Sequence, residues 1–225
     1  MPRALSSKHR GPRSTSPALP GDVEEEIRQT VRPADQGTVR SRLARAIRLL
    51  ERGDPAAAVV EAEKAKQLAP RSSAAREVLG LAYYGAERWR EAVTELKAYR
   101  RITGRVDQNH LIADALRGLG RPKEAVPLVE EELAGRASEA AKTEAAIVAA
   151  SALADTGRFP EALAFLGRVK PPGDGARPHT LRLWYARGDI LARAGRDREA
   201  AEEFRKVMRH DASAFDAAER LAQLA

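Results

Sequence analysis

The sequence predicts an all-α solenoid of about five helix pairs plus a C-terminal capping helix. Three observations predict it. From about residue 39 onward, apolar residues recur at helical spacing with polar residues between them. The helices arrive in pairs with similar joints: Arg52-Gly53-Asp54-Pro55, Gly120-Arg121-Pro122-Lys123, Gly157-Arg158-Phe159-Pro160 and Gly195-Arg196-Asp197-Arg198. A small residue follows at a fixed offset, as Ala58, Ala92, Ala125, Ala162 and Ala200, at intervals of 34, 33, 37 and 38 residues. A period near 34 residues made of two helices describes units that bury their apolar faces only by stacking on one another.

Taken in order, residues 1–38 read as a flexible, basic, Pro/Ser-rich tail with a short helix, and residues 39–225 as the helical repeat domain. The first twenty residues carry Arg3, Lys8, Arg10 and Arg13, four prolines and no acid. So polar a segment buries too little surface to offset its ordering entropy. It reads as a solvated tail or as a basic arm for an acidic partner. Asp22–Val31 can form a short helix, with Asp22 as its cap and Glu24, Glu25 and Glu26 near its positive end, stopped by Pro33. In the repeats, the joint glycine ends one helix in a left-handed conformation. Pro55, Pro122 and Pro160 fall in the first turn of the next, where a missing N–H costs nothing. The alanine that follows lets two helices cross closely. The units run over 39–72, 73–105, 106 to about 139, from near 143 and from near 181, and 216–225 reads as the final helix. The connections at 134–142 and 170–180 are longer. Pro171, Pro172, Gly173, Gly175 and Pro178 make the second a loop that bends or divides the array.

Residue by residue, the array resembles the tetratricopeptide repeat family. The resemblance rests on Ala46, Leu49, Ala58, Ala62, Ala65 and Pro70 in the first repeat, and on Leu79, Gly80, Tyr83, Ala92 and Leu96 in the second. The third has Ile112, Ala113, Leu116, Ala125 and Val129, the fourth Ala150, Leu153, Ala162 and Leu166, and the fifth Trp184, Gly188, Leu191, Ala200 and Phe204. Tyr99 and Glu132 depart from the pattern, standing where the family prefers alanine. The resemblance implies a right-handed superhelix whose first (A) helices line a concave groove. It further implies an interaction adaptor or scaffold that binds a partner segment in that groove. The implied groove residues are Leu43, Ile47, Glu77, Leu81 and Tyr84, then Asp107, His110 and Asp114, then Tyr185 and Asp189. Such a groove is apolar at its start and acidic in its middle, and suits a basic or apolar segment of another protein. The carboxylate clamp of some family members needs inward cations and amides. Its places here hold Leu43, Ile47, Val78, Asp107 and Leu111, so that mode is not expected.

Composition supports the same reading. The chain has 225 residues, a net charge of +7 and no cysteine, which removes disulfides, thiol nucleophiles and Cys-ligated metals. The charge is uneven: net +6 over residues 41–105 and −3 over 106–140. Arg42, Arg45, Arg48 and Arg52 form a helical stripe that offers the alternative function, association with nucleic acid. An aromatic content of 4% is thin for stacking on bases. Arginine is also favoured over lysine by a GC-rich, bacterial coding background. Most aromatics read as core. Tyr84 and Tyr185, at groove places, either anchor a bound segment or pack between helices. His110 shares a helix face with Asp107 and Asp114, and the run Glu130–Glu132 reads as a solvated face. No histidine spacing suits a metal, no phosphate loop or nucleophile elbow is present, and so no enzyme and no cofactor are expected. Without a signal peptide or an apolar run near twenty residues, a cytoplasmic location is expected.

Overall fold

In the computed structural model, twelve α-helices account for most of the described residues, 19–135, 138–169 and 178–224. Helix α1 (Gly21–Thr30) is followed by five antiparallel pairs. These are α2 (Pro33–Glu51) with α3 (Pro55–Leu68), α4 (Ser73–Gly85) with α5 (Trp89–Thr103), and α6 (Asn109–Gly118) with α7 (Ala125–Ala134). Then come α8 (Glu139–Asp155) with α9 (Phe159–Leu166), and α10 (Pro178–Arg193) with α11 (Asp197–His210). Helix α12 (Ala217–Gln223) closes the array. The expected tail over 1–18 and most of the expected loop, 170–177, lie outside the described residues.

The joints are one device used five times. Gly53, Gly120, Gly157 and Gly195 have φ between +71° and +77°, and the N–H three residues past each helix end returns to a carbonyl inside it. Arg121 N–H, for example, reaches the Leu116 carbonyl at 2.8 Å. The second joint does the same without glycine: Glu87 takes φ +57° and Arg88 N–H reaches the Tyr83 carbonyl at 2.9 Å. A side chain in the left-handed region costs about 1–2 kcal/mol. Glu87→Gly should therefore raise stability by about 1 kcal/mol, after allowing for the added freedom of the unfolded chain. A urea melt checks this, and an unchanged or lower midpoint would count against it.

All five alanines after the joints are fully buried. The smallest places on the A helices face large groups on their partners. A Cβ on Gly80 would lie 2.6 Å from Leu96 Cδ2, and one on Gly188 would lie 2.9 Å from the Phe204 ring. In the third pair the outer helix starts with a 3-10 turn, Pro122–Glu124, because Pro127 has no N–H to return to the Lys123 carbonyl.

The helical body begins before residue 39. Pro33 sits in the first turn of α2, so it starts that helix as well as ending the run of α1. Leu19, Ile27 and Val31 are buried in one cluster with Val39 and Leu43, so residues 19–38 are packed structure. Along the array, α2 touches α4, α6 touches α8 and α8 touches α10, while no two described B helices approach to that degree. The A helices are therefore on the inside of the bend, and the B helices α3, α5, α7, α9 and α11 on the outside.

Candidate functional site: the inner face of the A helices

The inner face has three sections. At its start it is covered by the chain itself. Helix α1 packs on α2 and α4, both A helices. Ile27 is fully buried against Val39 and Leu43, and Val23 packs beside them. Glu24 pairs with Arg40 of α2 at 2.5 Å. Glu26 accepts the Ser72 hydroxyl at 2.9 Å and the Ser73 N–H at the start of α4. Leu43, expected to line an open groove, is thus core: α1 seals it, and Ile47 is half-buried beside the same cluster.

The middle section is a web of paired charges. Tyr84 donates its hydroxyl to Asp114 at 2.5 Å, and Asp114 also pairs with Arg117 at 2.6 Å. Arg117 reaches Asp155 of α8 at 2.8 Å, and Asp155 takes Arg193 of α10 at 3.1 Å. Glu77 accepts Gln108 Nε2 at 2.7 Å, and burial raises its carboxyl above the usual range. Asp107 pairs with Arg105 at 2.6 Å. The acidic centre expected from the sequence is largely balanced by these cations and donors. Burial pushes the Tyr84 phenol up, and Asp114 adds to the effect, so it is a proton donor throughout the neutral range.

His110, expected on one helix face with Asp107 and Asp114, takes Glu132 of α7 as its partner. Glu132, expected in a solvated run, is only 1% exposed. It accepts the His110 N–H at 2.7 Å and lies 2.8 Å from its Nδ1. The carboxylate thereby satisfies an amide that the first turn of α6 leaves without a partner. The other departure from the family pattern, Tyr99, is also buried and donates its hydroxyl toward Asp107 at 3.3 Å. Both departures place a polar group at the start of the third repeat. No single-residue signal could have shown this, because the partners are 22 residues apart in one case and 8 in the other.

The third section, between α8 and α10, is open and largely apolar. A recess of about 330 Å³ is lined by Ile147, Ser151, Arg182, Tyr185, Ala186 and Asp189, with Phe215 at its rim. Phe215 precedes α12, takes φ +56° and is 51% exposed. Tyr185 stacks on Phe215 with centroids 4.8 Å apart and packs on Phe204. It donates its hydroxyl to Asp216, and burial pushes its phenol up to about 12. Asp189 is held by Arg220 of α12 at 2.5 Å. The family resemblance pointed to Tyr185 and Asp189, and to Ile147 on the neighbouring A helix, but not to Phe215 beside them. Phe215 had no repeat to place it.

The arginine stripe is partly paired. Arg42 pairs with Glu61 of α3 at 2.9 Å, and Arg45 lies 3.8 Å from the same carboxylate with 65% of its side chain exposed. Arg48 buries Nη1, while Arg52 is exposed at the end of α2. Leu81, at the centre of the expected apolar groove, is half-buried. Among the described residues, no group of three or more His, Cys, Asp or Glu is placed to hold a metal. None of the described helices is long and apolar enough to cross a membrane.

Paired helices on a 34-residue theme, with small residues at each crossing and the A helices inside, are the architecture of tetratricopeptide repeat arrays. Residues 112–215 match the family described as Tetratrico peptide repeat, and the first half of the chain continues the same architecture. No curated protein sequence matches the chain. Among solved structures, it is similar to TTC0263, a thermophilic protein of this kind from Thermus thermophilus, with 16% identity, 83% of this chain and 98% of that one covered, and a TM-score of 0.65. It is similar to PilW, a type IV pilus biogenesis factor, with 19% identity, coverages of 83% and 88%, and a TM-score of 0.67. It is also similar to YrrB, described as having an unusual peptide-binding site, with 22% identity, coverages of 77% and 87%, and a TM-score of 0.54. These likenesses establish the fold. Arrays of this fold are in general scaffolds for protein interaction.

Proposed function

We propose that this protein is an adaptor that holds a segment of another protein on its inner face, at the recess between α8 and α10. The observation that carries this reading is the contrast along that face. The first section is filled by α1 and the middle is closed by paired charges, which leaves the apolar recess at Ile147, Tyr185, Ala186 and Phe215 open. An apolar side chain entering there gains burial on a surface already ordered, so the receptor loses little freedom on binding. Arg182 and Asp189 flank the recess and can orient the polar parts of the segment. The bound segment is thus apolar at its anchor, and the basic character read from the sequence loses its main support.

A photoreactive residue in place of Ser151 should cross-link the partner in extracts of the native host. The same residue in place of Lys97 on α5 should not. Ile147→Arg should reduce capture at least tenfold while leaving the helical circular dichroism unchanged. Equal cross-linking from both places, or full capture by Ile147→Arg, would sink the reading.

A further inference from the structure

The section covered by α1 has the construction of a receptor with its ligand in place. Val39 and Leu43 on α2 share the buried cluster of α1's Ile27, flanked by the Arg40 guanidinium and by the Ser72 hydroxyl and Ser73 N–H that open α4. Onto this surface α1 lays an isoleucine, with glutamates one and three residues before it and Val23 one turn back. Each acid meets a donor of the surface: Glu24 meets Arg40, and Glu26 meets the first turn of α4. The surface therefore reads one pattern, an acidic amphipathic helix with an aliphatic anchor.

The cover is held less firmly than what it covers. Helix α1 has ten residues, of which Ile27 alone is buried, and its ion pair to Arg40 is about one-third exposed. A helix this short is marginal without its contacts. The link at Val31 and Arg32 is extended, so α1 is not a continuation of α2. Segments with few buried contacts open first, while α2 and α4 are held by the whole first half of the array.

We infer that the α2/α4 surface is a binding site for an acidic amphipathic helix of a partner protein, which α1 occupies in cis until the partner displaces it. Tethering gives α1 a high local concentration, so a partner competes only when it matches the pattern better or arrives at high concentration. This site is separate from the recess between α8 and α10, and either assignment can fail alone.

The test uses full-length chains and a fluorescein-labelled peptide of residues 19–32, read by anisotropy. Ile27→Asp places a charge in the apolar contact and releases α1 without altering the surface. That variant should bind the peptide at least tenfold more tightly than the wild type. Adding Arg40→Glu should abolish the gain, and a peptide carrying Ile27→Asp should not bind. Should Ile27→Asp lose its cooperative melt, Glu24→Lys answers the same question, since it only sets two cations against each other across the latch. Ile147→Arg should leave peptide binding unchanged. The inference is overturned if a released variant, folded by circular dichroism, binds the peptide no better than the wild type does.

Discussion

Replacing Gly188 with valine should cost about 2–3 kcal/mol, among the larger single losses open to this chain. A Cβ there would stand 2.9–3.1 Å from three ring carbons of Phe204, a fully buried ring in the last helix pair. The ring has no solvent to move into, so α10 and α11 must separate, and α12, which packs on the same cluster, loses its seat. The contrast with Gly37 makes the expectation sharp. Gly37 lies in α2 with nothing near its Cβ position, so Gly37→Ala should stabilise by about 1 kcal/mol through helix propensity. Gly188→Ala should destabilise. Denaturant melts of the two alanine variants check this, and shifts of the same sign would refute the packing argument.

Glu132→Ala should lower stability by about 2–4 kcal/mol. It empties a place that is 1% exposed and strands the His110 amide and ring nitrogen that the carboxylate now satisfies. Its neighbour Glu131 is about half exposed and pairs with the partly exposed Arg100. Glu131→Ala should cost under about 1 kcal/mol. Urea denaturation compares them directly, and equal midpoints for the two variants would mean the buried carboxylate is not a cap for α6.

Much of the fold was legible in the residues. Gly53, Gly120, Gly157 and Gly195 announced left-handed helix ends, and the five alanines announced the crossings, because both depend on what one residue's own size permits. The second joint was harder to see, since Glu87 takes the left-handed conformation without being glycine. The site was legible only in part. Tyr185 and Asp189 could be placed by the family resemblance, whereas Glu132 read as one of three adjacent acids on a wet helix. Only its position beneath the start of α6 makes it a buried acceptor.

The amino-acid order alone determined the helix pairs, their spacing and the sites of close crossing, because these follow from local periodicity and side-chain volume. The tertiary structure decided which inner-face residues are available. Leu43 is closed by α1, Asp107 and Asp114 are balanced by Arg105 and Arg117, and the recess at Ile147 stays open. Availability depends on what lies across a residue in space, and that neighbour is often a turn, a repeat or about thirty residues away in sequence.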